Sequence, residues 1–431
     1  MSASDPGRVR IGLLGCGNVG AALVGLVGEQ ADTIEARTGL RLEVARVAVR
    51  NLAKERSVTL PEGVLTHDAD GLVHDPEVDL VVELIGGVEP ARSLVLDALK
   101  AGKPVVTANK ELMANVGTEL FGAAEGAGVD LLFEAAVAGA IPLIRPLRES
   151  LAGSRIRRIT GIVNGTTNYI LTRMSEEGAT YADALAEAQS LGYAERDPTA
   201  DVEGYDAGAK VAILATIAFG ASVVAGDVAH EGIAGVTTAD IAFAHRLGYE
   251  VKLLAVAEQG DDGRVAVRVH PAMVPSSHPL ASVRGSFNAV FIEGDAVGEL
   301  MLYGRGAGGR PTASAVLGDV VDAAGNLRRG TCASIGALPR ATIRPVDDAR
   351  SEYYLHIEVL DRPGVLHAVS GVFAEHGVSI RSMEQEGLGD EARLIFITHD
   401  AAESAIQATL GALRGLDAVD RVTSVLRVVA P

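Results

Sequence analysis

Tryptophan is absent from this chain, aromatic residues make up only 4% of it, and its only cysteines are Cys16 and Cys332. Two cysteines cannot build a disulfide framework. Among the ten histidines there is no HExxH and no pairing at zinc spacing, which leaves a transition-metal site unsupported. Positive charge is also scarce: 38 basic residues face 56 acidic ones, a net charge of -18. Nucleic acids and anionic membranes are met with the opposite sign, so neither is an expected partner. The longest uncharged run, residues 211–226, is shorter than the roughly 20 residues of a membrane-spanning helix. The opening MSASDPGRVR lacks the apolar core of a signal peptide. The expectation is a cytoplasmic protein.

What is present is a chain of 431 residues, 48% hydrophobic and carrying 50 glycines, a composition typical of α/β enzymes. That length implies two to three domains. From Val9 a short apolar strand, a glycine turn and a helix over about 18–38 are followed by strand-like runs at 42–49, 79–86, 103–109 and 129–137. Helical stretches separate these runs, which predicts a parallel, doubly wound sheet over 8–136. Residues 137–311 mix long helices with alternating strands and read as an α+β catalytic and oligomerisation unit. PTASAVLGDVVDAAGNL, 311–327, reads as a helix with Pro311 at its start and Gly325 near its end, packing back on the first domain, which thereby includes 312–335. Residues 336–350 suit a linker, and 351–431 read as a self-contained βαββαβ ferredoxin-like unit.

GCGNVG, residues 15–20, fits G-x-G-x-x-G at the first βα turn. Gly15 serves the turn, Gly17 the close approach of a pyrophosphate and Gly20 the packing of helix on strand. At the end of the second strand, where a carboxylate would read the ribose of NAD, stand Arg50 and Asn51. A guanidinium there favours NADP, with NAD left open. Lys110, at the end of VVTANK, points toward the ligand crevice of such a sheet.

DPTADVEGYDAGAK, 197–210, concentrates carboxylates before a lone lysine. With Asp201 as N-cap, a helix from Val202 sets Glu203, Asp206 and Lys210 on one face. No further charge follows for sixteen residues, so that face is expected to line a cleft rather than solvent. A buried lysine beside carboxylates is a candidate proton donor or acceptor. Glu195 on the preceding loop suits an ammonium group, and the backbone N–H groups around Thr166 suit a carboxylate. Together they describe a pocket for an amino acid.

In order along the chain, GLLGCGNVG, VVTANKELMA, FEAAVAGAIP, GIVNGTTNYIL, AQSLGYAERDPTADVEGYDAGAKVAILA and GRGAGGRPTASAVLGD resemble homoserine dehydrogenase over residues 8–330, and DRPGVLHAVSGVFAEHGVSI resembles an ACT domain. The resemblance implies NAD(P)-dependent interconversion of L-homoserine and L-aspartate 4-semialdehyde, in threonine, methionine and isoleucine biosynthesis. It makes Lys210 the acid/base, Asp206 its polar partner, Glu195 the ligand of the substrate amino group and Lys110 a second lysine near substrate and nicotinamide. Asn18, Val19, Arg50 and Lys110 fall at its cofactor-contacting positions. It also implies a monovalent cation (Na or K) held by Glu134, Val137, Gly139 and Ile141 through main-chain oxygens. An ACT unit implies an amino-acid effector, threonine, near Gly364, Val365, Leu366, Gly377 and Ile380, and a homo-oligomer, dimer or tetramer. No aspartate kinase region accompanies these motifs, so the monofunctional form is expected. A dehydrogenase for another amino-acid semialdehyde, or a nucleotide- and amino-acid-sensing protein without turnover, are the alternatives.

Overall fold

The structure, a computed structural model, describes residues 7–333, 335–387, 389 and 391–429. The segment MSASDP of the leader reading lies outside them. A six-stranded, all-parallel sheet runs in the order Leu65–Thr66, Arg41–Ala48, Arg8–Leu14, Leu80–Glu83, Val105–Thr107, Leu131–Leu132. Its central strands are buried on both faces, which is why they read as continuous apolar runs. Strand order reverses beside Arg8–Leu14, and ligands bind at such a switch point, outside the carboxyl ends of the strands.

The single helix expected over 18–38 is two, Asn18–Glu29 and Ala31–Thr38. Gln30 leaves the helical region (φ -104°, ψ 6°), and only Ile34 of the second piece is buried. The helix expected over 311–327 spans Gly309–Arg329 and ends on Gly330 in the left-handed conformation; Gly325 lies inside it. Ala313, Val316, Val320 and Ala324 recur at helical spacing on one stripe and pack with Leu23 and Val27 of the Asn18–Glu29 helix. The chain thus returns to the first unit after building the second.

The second sheet runs Gly298–Arg305, Phe287–Gly294, Ile156–Ile162, Tyr249–Gln259, Val265–Pro275, Val419–Val428, Arg350–Leu360, Glu391–Thr398, Ile380–Gly387, with two short strands beside it. The last four strands and the helices Val365–Glu375 and Glu403–Arg414 realise the βαββαβ order. The C-terminal unit is nevertheless not self-contained. Val419–Val428 pairs in parallel with Val265–Pro275 through Ala272↔Arg427 and Met273↔Val428, so one sheet crosses from the middle unit into the tail. Asp240, fully buried, reinforces this junction by accepting from Ser424 Oγ (2.6 Å), Tyr354 Oη (3.0 Å) and His356 Nδ1 (3.1 Å). Residues 336–350 are strapped to the middle unit by bridges Ser222↔Arg340 and Val265↔Ile343 and by the Arg340–Asp227 ion pair at 2.6 Å. Gly364, Val365 and Leu366 lie at one end of the Val365–Glu375 helix and Gly377 and Ile380 beyond its other end. Eleven residues at 1.5 Å rise separate the two groups by about 16 Å along the helix.

Candidate active site

Gly15 adopts φ +97°, and a Cβ there would meet Leu84 O at 2.7 Å, so the turn after the first strand requires glycine. Gly17 has open space where a side chain would sit, while a Cβ on Gly20 would meet Gly15 O at 2.6 Å. Asn18 and Val19 open the helix that follows, and Gly17 is its N-cap with no side-chain cap, leaving the first N–H groups free of any side-chain acceptor there. The three glycines and the uncapped helix start fit a dinucleotide pyrophosphate. Arg50 is exposed just past Arg41–Ala48. Arg56, which the sequence reading passed over, folds back on the same loop, donating to Asn51 O (2.6 Å) and Lys54 O (2.7 Å), and stands beside Cys16 of the glycine turn. Burial pushes the Cys16 thiol up, and Arg56 partly offsets this.

At the crest of the parallel sheet, buried Glu83 accepts from Ile85 N (2.7 Å), Gly86 N (3.1 Å) and Thr107 Oγ1 (2.5 Å), locking two crest loops together. Asn109 donates through Nδ2 to Gly87 O (2.6 Å) and caps the helix Lys110–Ala127 by accepting from Leu112 N. Lys110 is therefore the first residue of a capped helix, fixed at the mouth of the crevice.

The helix expected from Val202 begins instead at Tyr205 and runs to Phe219. Thr199–Val202 is a separate short helix, and Gly204, φ +84°, turns the chain between the two. Asp201 is thus not an N-cap, and Glu203, at the C-cap of the short helix, does not share a face with Asp206 and Lys210. A side chain at 204 would press on Val269, so the corner is set by packing against the sheet as well as by glycine's freedom.

Asp206 is the centre of the site. It is 7% exposed, and its Oδ2 accepts from Lys210 Nζ (2.7 Å) and Asn164 Nδ2 (2.8 Å), while Lys110 Nζ stands 2.7 Å from Oδ1. Burial opposes its ionisation, yet the Lys210 and Lys110 ammonium groups hold the carboxyl well below the usual carboxylate range. Burial likewise works against the charge on Lys110, but the Asp206 carboxylate outweighs it and raises the ammonium above its ordinary value. Lys210 Nζ also donates to Val163 O at 2.7 Å. An ammonium has three N–H donors, so one remains for a ligand in the cleft.

Asn164 organises the carboxylates. Its Nδ2 also donates to Asp201 Oδ1 (2.7 Å), and its Oδ1 accepts from Thr167 N (2.8 Å) as the N-cap of Gly165–Glu177. Burial raises the Asp201 carboxyl, and the Asn164 hydrogen bond works against it. Of the N–H groups expected to hold a carboxylate, that of Thr167 is therefore taken by the cap. Thr166 Oγ1 donates to Tyr193 O (2.7 Å) and ties the Glu195 loop to the helix start. Glu195 is exposed on that loop. A cleft of about 920 Å³ brings together Lys110, Thr166, Glu195, Asp206 and Lys210, with Asn288 and Gly306 on the facing wall.

The turn 134–141 packs behind the cleft wall, where Ala140 N donates to Arg305 O (3.2 Å) and a Cβ on Gly139 would meet Gly306 O at 2.5 Å. The Glu134 carboxylate accepts from the backbone N–H groups of Leu143, Ile144 (2.7 Å) and Arg145 (2.8 Å), so its side chain is committed mainly to holding the chain after the turn. No group of three or more His, Cys, Asp or Glu that could hold a metal occurs among the described residues. Among them, too, no helix is long and apolar enough to cross a membrane.

Three family models match the chain: "Homoserine dehydrogenase, NAD binding domain" at residues 15–134, "Homoserine dehydrogenase" at 142–321 and "ACT domain" at 353–418. Homoserine dehydrogenases of Mycobacterium tuberculosis and Corynebacterium glutamicum are each 51% identical, covering 98% of this chain and 98% and 97% of their own. The solved homoserine dehydrogenase of Thiobacillus denitrificans superposes with a TM-score of 0.92 at 42% identity, over 98% of both chains. A hyperthermophilic archaeal homoserine dehydrogenase in complex with NADPH has a TM-score of 0.62 at 31% identity, over 73% of this chain and 97% of that one.

Proposed function

The chain belongs to the homoserine dehydrogenase family, with an NAD-binding domain, a catalytic domain and an ACT domain; from that premise we propose the roles of its residues, its cofactor preference and its regulation. The observation that carries the reading is Asp206, buried and bracketed by Lys110 and Lys210 in the cleft. Lys210 exchanges a proton with the substrate's C4 oxygen, taking it when L-homoserine is oxidised and returning it when L-aspartate 4-semialdehyde is reduced. Its partners Val163 O and Asp206 fix the Nζ position and leave its third position for that oxygen, as the lone pair of the amine when the proton is taken and as an N–H of the ammonium when it is returned. Lys110 adds a second positive charge beside the oxygen, and Asp206 balances both lysines. Glu195 at the cleft rim meets the substrate ammonium group, and the N-terminus of Gly165–Glu177 at Thr166 meets its carboxylate.

The nicotinamide cofactor, when bound, supplies hydride exchange at C4 of the substrate. Gly15, Gly17, Asn18, Val19 and Gly20 would hold its pyrophosphate, and Arg50 with Arg56 would meet a 2′-phosphate. Two guanidinium groups and no carboxylate at the strand end support NADP over NAD. NADPH is bound by the archaeal relative. The main-chain oxygens of Glu134, Val137, Gly139 and Ile141 would hold a monovalent cation, since neutral carbonyls suit a hard ion of low charge.

The reaction belongs to threonine, methionine and isoleucine biosynthesis, in a homo-oligomer, and threonine acts through the ACT domain. The sheet that continues from Val265–Pro275 into Val419–Val428 supports such coupling. Deleting 350–431 would uncover that strand edge and strand Asp240, so the regulatory test is a substitution at exposed Leu366 rather than a truncation. Leu366→Arg should relieve threonine inhibition and keep turnover; full inhibition would place the effector elsewhere. For the reaction itself, L-homoserine-dependent reduction of NADP and NAD is measured in parallel. Turnover with neither cofactor would overturn the assignment.

A further inference from the structure

Asn288 is 1% exposed, yet neither its Oδ1 nor its Nδ2 has a hydrogen-bond partner. Buried amides are paired almost without exception, because losing water without a replacement partner is costly. Elsewhere in the cleft wall, Asn164, Thr166 and Asp206 all make hydrogen bonds.

The strand Phe287–Gly294 aims this amide. Alternation puts Asn288 on the face of Val290 and Ile292, which pack with the helices, and opposite Ala289 and Phe291. At the strand's start that face opens into the cleft, beside Ser286 and Gly306. A methyl group on Gly306 would overlap the Asn288 amide, so the segment 306–308 passes directly against it.

Two contacts locate the amide between the two ends of the reaction site. On the cofactor side, 306–308 leads into the Gly309–Arg329 helix, where a Cβ on Gly309 would lie 3.4 Å from Asn18 O. On the substrate side, a Cβ on Gly165 would lie 2.8 Å from Ser286 O, so the start of the Gly165–Glu177 helix abuts the loop that carries Asn288.

An unpaired donor and an unpaired acceptor on one planar group call for a ligand presenting both side by side. The substrate's adjacent ammonium and carboxylate donate and accept as a pair, but on the reading above Glu195 and the N-terminus of Gly165–Glu177 already hold them. A carboxamide also does both. Resting on the dehydrogenase reading above, we propose that Asn288 forms paired hydrogen bonds with the carboxamide of the nicotinamide ring, fixing the ring's rotation and the face it turns toward the substrate. It is a cofactor-orienting residue that the motifs did not single out.

The test compares wild type with Asn288→Ala and Asn288→Ser, using NADP(H) and the 3-acetylpyridine analogue, whose acetyl group lacks the amide donor. Binding is read by NADPH fluorescence titration, turnover by steady-state kinetics, and folding by Tm. Both variants should weaken NADPH binding and lower kcat/KM for NADP about tenfold, as expected for about 1.4 kcal/mol. With the analogue the loss should be clearly smaller, because part of the interaction is already missing. An equal loss with both dinucleotides, unchanged NADPH binding, or an effect confined to the KM of homoserine would each overturn the proposal. If the alanine variant does not fold, the serine variant decides. Absence of turnover in wild type would defeat the reaction assignment, whereas the NADPH titration would still decide the role of Asn288.

Discussion

Lys110 Nζ lies 2.7 Å from Asp206 Oδ1, although the lysine opens a helix of the nucleotide-binding unit and the aspartate opens a helix of the catalytic unit. One ion pair therefore crosses the cleft, and with Lys210 it makes a three-membered charge cluster around a buried carboxylate. The cluster carries a net positive charge beside the place where an alkoxide would develop. That is the electrostatic arrangement a carbonyl reduction needs.

Lys210→Ala should lower kcat about 10²-fold or more in both directions, the usual cost of a lost general acid or base. Steady-state rates with homoserine and with the semialdehyde measure it. Because Lys210 is also a partner of buried Asp206 and of Val163 O, Tm should fall as well, so rates are compared well below both transitions, where a near-normal kcat would remove the proton-transfer role.

Asp206→Asn leaves two ammonium groups without their anion and should destabilise the fold by about 3 kcal/mol at pH 7. The pH dependence has a definite sign. Asp206 titrates below the unfolded value, so its contribution is present above about pH 4 and is lost as pH falls through the lower folded pKa. Thermal melts of both proteins between pH 7 and pH 3 should converge toward the acid end.

Asp319 behaves in the opposite sense. It is nearly fully buried, accepting from Glu134 N (2.7 Å) and Arg145 (3.2 Å), and burial pushes its carboxyl up to about 7. Its stability contribution is complete below the unfolded value near 4 and lost as pH rises through about 7, where a buried anion must form. Asp319→Asn should therefore gain on wild type in Tm between pH 5 and pH 8.5. A constant Tm difference would show that Asp319 is already ionised throughout.

Asp240→Ala should loosen the C-terminal unit. Three donors, on Ser424, Tyr354 and His356, would lose a buried acceptor at once, for a cost of about 3 kcal/mol or more. Hydrogen exchange in Val419–Val428 and proteolysis within 336–350 should both accelerate. Protection equal to wild type would mean that the strand pairing at Ala272 and Met273 holds the junction by itself.

Parts of the site were legible for a local reason. Asp206 and Lys210 are four residues apart in a run otherwise free of charge, and one helical turn brings them together without help from the rest of the chain. The glycine turn was legible because each glycine answers a backbone requirement. Asn164, Glu83 and Asn288 were not, since a polar residue near a strand end looks the same in sequence whether it meets solvent or a carboxylate. Asn164 acquires its role only when residues 201 and 206 are folded against it.

The sequence by itself determined the element types, the alternation behind the parallel sheet, the βαββαβ order of the tail and the family motifs, because these rest on periodicity and local backbone chemistry. Tertiary structure decided where the Asp206 helix begins, since Gly204 turns against Val269 of a distant strand. It also decided that Lys110 meets Asp206, that the tail's last strand joins the catalytic sheet, and that Asn288 is buried without a partner. Each is a contact between segments far apart in the chain, and no local propensity encodes which distant surface a side chain will face.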